Sequence, residues 1–177
     1  MGHLSNPAYL SLWNAAYLNL DYAKPYQMSE LNSGNIRIGY SFNDMGIQIA
    51  WNRFGINEYS EDILEGSFGY KPWEFFSIGL GVLYYHVAIS EPDGEYKYGS
   101  INYKYSLLFL PFEWINIGFL QENIYSIINK KREDDSGFLF PNRSLGIAII
   151  PADGLTFTWN INKIYYGYIN SFSVTAN

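Results

Sequence analysis

From Gly34 onward the side chains alternate with a period of two, and the two alternating sets differ in kind. Ile36, Ile38, Tyr40 and Phe42 share one face of the first run, while Asn35, Arg37, Gly39 and Ser41 share the other. Ile47, Ile49 and Trp51 oppose Gln48, Ala50 and Asn52 in the next, and Phe76, Ile78, Leu80 and Val82 oppose Ser77, Gly79 and Gly81. Ile101, Tyr103, Tyr105, Leu107 and Phe109 alternate with Asn102, Lys104 and Ser106. The same holds for Leu145, Ile147 and Ile149 against Ser144, Gly146 and Ala148, and for Leu155, Phe157, Trp159 and Ile161 against Thr156, Thr158, Asn160 and Asn162. Successive side chains of an extended strand point to opposite faces, so this rhythm predicts β-structure rather than helix. With Tyr59 to Tyr70, Trp114 to Asn123 and Tyr168 to Thr175 added, about nine strands are expected.

The connections predict how those strands join. Asn43-Asp44-Met45-Gly46, Lys71-Pro72-Trp73-Glu74, Pro111-Phe112-Glu113 and Pro151-Ala152-Asp153-Gly154 are tight turns. Between them lie polar connections expected to be longer, at Phe54 to Glu58, Ser90 to Tyr98, Asn123 to Phe140 and Lys163 to Gly167. Hairpins with tight turns at one end and loose loops at the other make an up-and-down antiparallel barrel.

The faces decide which kind. One is large, aliphatic or aromatic, and the other is small or amide-bearing with few charges. A soluble antiparallel sheet sets Lys, Glu and Arg on its outer face, and this chain offers Gly, Ser, Thr and Asn instead. A membrane barrel inverts that logic, with its apolar face to lipid and its polar face to the lumen. Charges on the large-residue parity (Arg53, Asp62 and Arg143) sit at strand ends, where the cost is about 0–1 kcal/mol rather than roughly 2–4 at the midplane. Arg37, Glu61, Glu65 and Lys104 fall on the small parity. Aromatics gather at strand ends: Phe42, Tyr70, Trp73, Phe112 and Trp114 flank the short turns, and Tyr59, Tyr84, Tyr85, Tyr96, Tyr98, Tyr165 and Tyr166 flank the other end. Two such belts suit two membrane–water interfaces.

Composition fits this reading and narrows the partners. The 177 residues are 48% apolar, 19% aromatic and only 16% charged, where a soluble surface usually brings the charged share to about a quarter. Mean hydropathy is nonetheless near neutral at -0.12, because alternation averages it away. No apolar run reaches the roughly 18 residues that a helical span needs. The net charge of -6 leaves no basic stripe for nucleic acid. Lys130-Lys131-Arg132 is cancelled by Glu133-Asp134-Asp135, as in a solvated loop. Without cysteine there is no disulfide, thiolate metal site or thiol nucleophile.

The first 33 residues lack the strand rhythm. Asn6-Pro7 makes an N-cap followed by proline at the first helical position, so a short helix is expected over Ala8 to Leu18. Asp21 to Ser33, with Pro25, is expected to be an irregular connection. Two parts result: an N-terminal plug or irregular segment over 1–33 and an antiparallel barrel over 34–177. Met1 to Ala8 shows no charged and then apolar leader, so any export signal is expected to be removed or to lie elsewhere.

Asn6-Pro7-Ala8 followed by Leu10, Leu12 and Trp13 resembles the mature N-terminus of FadL-like and PorV/PorQ-like bacterial outer-membrane barrels. The run Ser100 to Pro111, with Ile115-Asn116-Ile117-Gly118 and Asn123-Ile124, is similar to their strand–turn–strand unit. Phe140-Pro141-Asn142-Arg143-Ser144-Leu145-Gly146, Pro151 and Leu155 to Ile161 resemble the following hairpin. The resemblance implies an outer-membrane barrel, which the strand count makes one of about 8–10 strands here, with family members that move hydrophobic compounds or serve as secretion and attachment scaffolds. The Asn-Pro-Ala segment would plug it. Family barrels commonly have more strands and close on an aromatic residue, whereas this chain ends Ser173-Val174-Thr175-Ala176-Asn177. A fragment or a small variant is therefore expected.

The side chains that offer chemistry are few. His86 lies on the large parity and is expected to be an interfacial aromatic; His3 is the other histidine, and no metal cluster or triad is spaced out. Glu61 and Glu65 share a strand face and have the types of an acid/base or cation pair, but a lumen patch balanced by Arg37 or Lys104 is the expected role. No enzyme activity and no cofactor are expected. The polar lining of a transport path would be Arg37, Gln48, Asn52, Glu61, Glu65, Lys104, Asn116, Thr158 and Asn160. Its partners would be membrane lipid and hydrophobic small molecules, or envelope and secretion proteins. The alternatives are a soluble aromatic-rich barrel or sandwich that binds a glycan or lipid, and a barrel enzyme of the envelope.

Overall fold

A computed structural model describes residues 6–25, 31–56, 58–92, 94–124, 142–153, 155–164 and 167–176. Ten antiparallel strands form one sheet in sequence order: β1 (Ala16–Ala23), β2 (Asn32–Phe42), β3 (Met45–Gly55), β4 (Tyr59–Trp73), β5 (Phe76–Glu91), β6 (Gly94–Phe112), β7 (Ile115–Glu122), β8 (Asn142–Ala152), β9 (Leu155–Ile164) and β10 (Gly167–Ala176). Every neighbour is the next strand in the chain. The sheet is a barrel-type meander left open, because β1 pairs only with β2 and β10 only with β9 among the described residues.

The count is one strand higher than expected because Ala16–Ala23, within the N-terminal segment, is strand. A 3-10 helix covers Pro7–Leu12, with the Asn6 side chain accepting from the Ala8 N–H at 3.0 Å. It stops there, and Ala16–Ala23 is strand. Leu18, Leu20 and Tyr22 alternate with Asn19 and Asp21, and all three point outward at 62–68% exposure. A helix through Leu18 would break that period, and pairing with β2 satisfies the backbone instead. The irregular connection expected over Asp21 to Ser33 is therefore mostly strand at its two ends.

Two of the connections expected to be long are hairpin extensions. β5 runs to Glu91 and β6 starts at Gly94, so most of Ser90 to Tyr98 is paired ladder. β6 has 19 residues, against about 9–11 for a tilted membrane span, and Gly94–Gly99 are exposed on both faces. This hairpin projects beyond the rim. β9 and β10 likewise run to Ile164 and from Gly167. The charged run 130–135, and Phe140 and Pro141, lie outside the described residues.

The short turns are built in two ways. At the first, Asn43 and Asp44 take positive φ values of 43° and 64°, which matches the twist of a two-residue hairpin. At the others the register slips between Tyr70 and Trp73, Phe109 and Phe112, and Ile149 and Ala152. Each slip encloses a proline (Pro72, Pro111, Pro151), which has no N–H for the ladder. We expect Asn43→Val to destabilise the fold by about 1–2 kcal/mol, since a β-branched residue resists the left-handed region. Asn43→Gly should be nearly silent, and denaturant unfolding measures both.

The two faces separate as the alternation predicts. Ile38, Ile49, Leu80 and Ile101 point outward and are exposed, with Ile49 at 66%. Ser41, Gln48, Ser67, Ser77, Asn102, Lys104 and Ser106 are buried on the other side, where the 3-10 helix lies. Trp73 stacks on Phe75 and Phe112 on Trp114 at the short-turn end, where the sequence gathers aromatics. Tyr59 and Tyr85 leave the opposite belt, because both have the inner parity; they bond Glu61 and Asn123. Tyr165 and Tyr166 lie outside the described residues.

Candidate functional site

The inner face is organised in rows across the strands, and the register defines them. Ser41, Gly46, Gly69, Gly79 and Ser106 are successive cross-strand partners from β2 to β6. Five small residues at one height leave a flat bed, and the 3-10 helix lies on it. A Cβ on Gly46 would overlap the Leu10 carbonyl, one on Gly69 the Pro7 carbonyl, and one on Gly79 the backbone at Pro7 and Ala8. Close approach of two backbones is what these glycines allow.

Serines fix the helix to that bed. The Ala8 N–H donates to Ser106 Oγ at 2.9 Å, and Ser77 Oγ donates to the Ala8 carbonyl at 2.7 Å. Ser11 Oγ donates to the same carbonyl at 2.9 Å and lies 2.6 Å from Ser77 Oγ. On the far side, Tyr9 hydrogen-bonds Asn116 on β7; burial pushes its hydroxyl pKa up, and the Asn116 bond offsets part of that. Pro7, Ala8, Leu10 and Ser11 are buried. The segment is thus a plug bonded to β5 and β6 near the short-turn end.

The next row is built differently. Tyr17, Gly39, Gln48, Ser67, Gly81 and Lys104 are successive partners from β1 to β6. Long side chains lie flat across the glycines: Tyr17 covers Gly39, and the Lys104 chain covers Gly81. The Tyr17 hydroxyl donates to Gln48 Oε1 at 2.6 Å, and Gln48 Nε2 donates to Glu65 Oε1 at 3.1 Å. Ser67 Oγ donates to that oxygen at 2.6 Å, and Lys104 Nζ lies 2.7 Å from it. Lys104 is 2% exposed and Glu65 7%. One polar chain therefore runs from β1 to β6 immediately above the plug.

Of the expected lining, Gln48, Glu65 and Lys104 are brought together in this chain. Asn116 holds the plug. Asn52 bonds Asn35, and Glu61 bonds Tyr59, both nearer the opposite rim. Glu61 and Glu65 share a face but have separate partners. Arg37 has the inner parity beside Ala50, and its Nε is buried without a protein partner among the described residues. Thr158 and Asn160 lie on β9, away from the cluster, with Asn160 against Gly146. Tyr17, Ser67, Ser77 and Ser106 were missed. Their parity was visible for the last two, but their joint height depends on register.

No family model matches the chain, and no curated protein matches it. The crystal structure of a Pseudomonas aeruginosa FadL homologue is similar, with a TM-score of 0.58 at 11% sequence identity. The likeness covers 96% of this chain and 69% of that one. At that identity it speaks for the fold and not for PorV or PorQ in particular. The ten-stranded open meander has a FadL-like barrel fold.

Proposed function

We propose that the chain forms the wall and plug of a bacterial outer-membrane barrel that passes small or hydrophobic molecules. The observation that carries this reading is the inverted partition: exposed Ile, Leu and aromatic rows outside, and hydrogen-bonded Gln, Glu, Lys and Ser rows inside. A water-soluble protein rarely exposes apolar patches beyond a few hundred Å², whereas here they run across successive strands. Arg37 Nε and Asn102 Oδ1, buried without protein partners among the described residues, suit a face wetted by enclosed water. Within hydrocarbon the outer edges of β1 and β10 must also be paired, since each unsatisfied backbone group there costs several kcal/mol.

Solute passage needs the plug to move. The plug is seated by hydrogen bonds to Ser77, Ser106 and Asn116 and by the buried Pro7, Ala8 and Leu10 against the glycine bed. Glu65 is committed to Lys104, Gln48 and Ser67, which favours a lining role over acid/base catalysis. The test is reconstitution into lipid vesicles, followed by uptake of an apolar dye and of a small sugar. Entry of either above empty vesicles supports transport. Insertion without flux of either would replace transport by a scaffold role, and a chain that stays monodisperse without detergent would replace the membrane barrel by a soluble glycan- or lipid-binding one.

A further inference from the structure

The outer face of β1 to β3 near the long-loop end holds a groove of about 410 Å³. Its floor is Gly34, where a Cβ would meet nothing within 4 Å. The register sets Gly34 between Tyr22 and Arg53, so an otherwise bulky wall has a gap one side chain wide. The neighbouring row toward mid-sheet is Leu20, Ile36 and Trp51, all exposed and apolar. The Tyr22 hydroxyl is turned to Asn32 Oδ1 at 2.7 Å.

Arg53 supplies the charge. Its Nη1 lies 4.0 Å from Asp62 Oδ1, and its side chain is 57% exposed against 24% for Asp62. That spacing exceeds a hydrogen bond. Trp51 Nε1–H donates to the same Asp62 oxygen at 3.0 Å, so the indole holds the carboxylate. Arg53 lines the groove, and its planar guanidinium fork suits phosphate. Asp21 also borders the groove, from the inner parity of β1.

We infer that this groove binds a lipid with an anionic phosphate headgroup, the phosphate on Arg53 and one acyl chain over Gly34 against Leu20, Ile36 and Trp51. The inference rests on the reading that the bulky face meets lipid. It adds a specific site to that general surface, at the height where an arginine is tolerated and aromatic rings meet headgroups. A zwitterionic lipid brings its own cation, which reduces its need for Arg53, so anionic lipid is preferred.

The protein is placed in micelles that contain equal phosphatidylglycerol and phosphatidylcholine with the same chains, and retained lipid is counted by native mass spectrometry. Phosphatidylglycerol should be enriched, and Arg53→Gln should lower the enrichment about tenfold, the loss of one charge-assisted contact. Gly34→Leu fills the groove where space is open, so the fold holds and the enrichment should also fall. Equal retention of the two lipids, or unchanged enrichment in either variant, overturns the site. Displacement by millimolar inorganic phosphate overturns the lipid as its ligand. A chain that never enters micelles or bilayers overturns the membrane reading and the site together; one that inserts normally without a lipid preference overturns the site alone.

Discussion

Gly79→Val should unseat the plug and raise the permeability of reconstituted vesicles to a small solute. Gly79 on β5 lies directly against the 3-10 helix, and any Cβ there would overlap the Pro7–Ala8 backbone. Backbone cannot swing aside as a flexible side chain does, so the helix must lift. Overpacking of this kind costs about 1–3 kcal/mol, which is about a fivefold to hundredfold loss in the seated-to-unseated ratio. The Ser77 and Ser106 bonds to Ala8 would be lost in the same step. Gly66→Val is the control, because Gly66 lies among outward residues and has nothing within 4 Å of a Cβ. Flux that responds equally to both changes would mean that wall damage, and not plug release, had been measured.

The second large effect concerns the ion pair. Lys104→Met leaves the Glu65 carboxylate buried beside Gln48 and Ser67 without its cation, at a cost of about 3–5 kcal/mol. Glu65→Gln alone should cost a similar amount by removing the carboxylate that lies 2.7 Å from the buried Lys104 Nζ. The double variant should regain most of the loss, because both charges are removed and Met spans Gly81 as the lysine stem did. Heat-dependent mobility of the folded protein on a detergent gel gives the order of the three. If the double variant were as unstable as either single one, the pair would not be the linking contact, and the wall would depend on the remaining hydrogen bonds of this row.

Much of the fold was legible in single residues. Parity alone separated Ile49 and Leu80 from Gln48 and Lys104, and the prolines and Asn43-Asp44 marked the short turns. The N-terminal segment was misjudged because Pro7 and Ala8 supply a genuine helix start, and helix-start signals say nothing of where the helix stops. Tyr17, Asn19 and Asp21 against Leu18, Leu20 and Tyr22 is a strand pattern, but it is short and follows that start directly. The ladder past Ser90 was hidden for another reason. Beyond the rim both faces meet water, so Tyr96 and Tyr98 alternate with charged residues that look like a loop.

Which residues face inward was determined by the sequence itself, since alternation is a local property of an extended chain. Which of them stand side by side was decided only by tertiary structure, because rows exist across strands and depend on register. Gly46, Gly69 and Gly79 are unremarkable along the chain, as are Tyr17, Gln48 and Lys104. Pairing six strands in one register aligns the first set into a bed for the plug and joins the second, through Glu65, into one polar chain. A shift of a single residue in any pair would turn the small side outward and dissolve both.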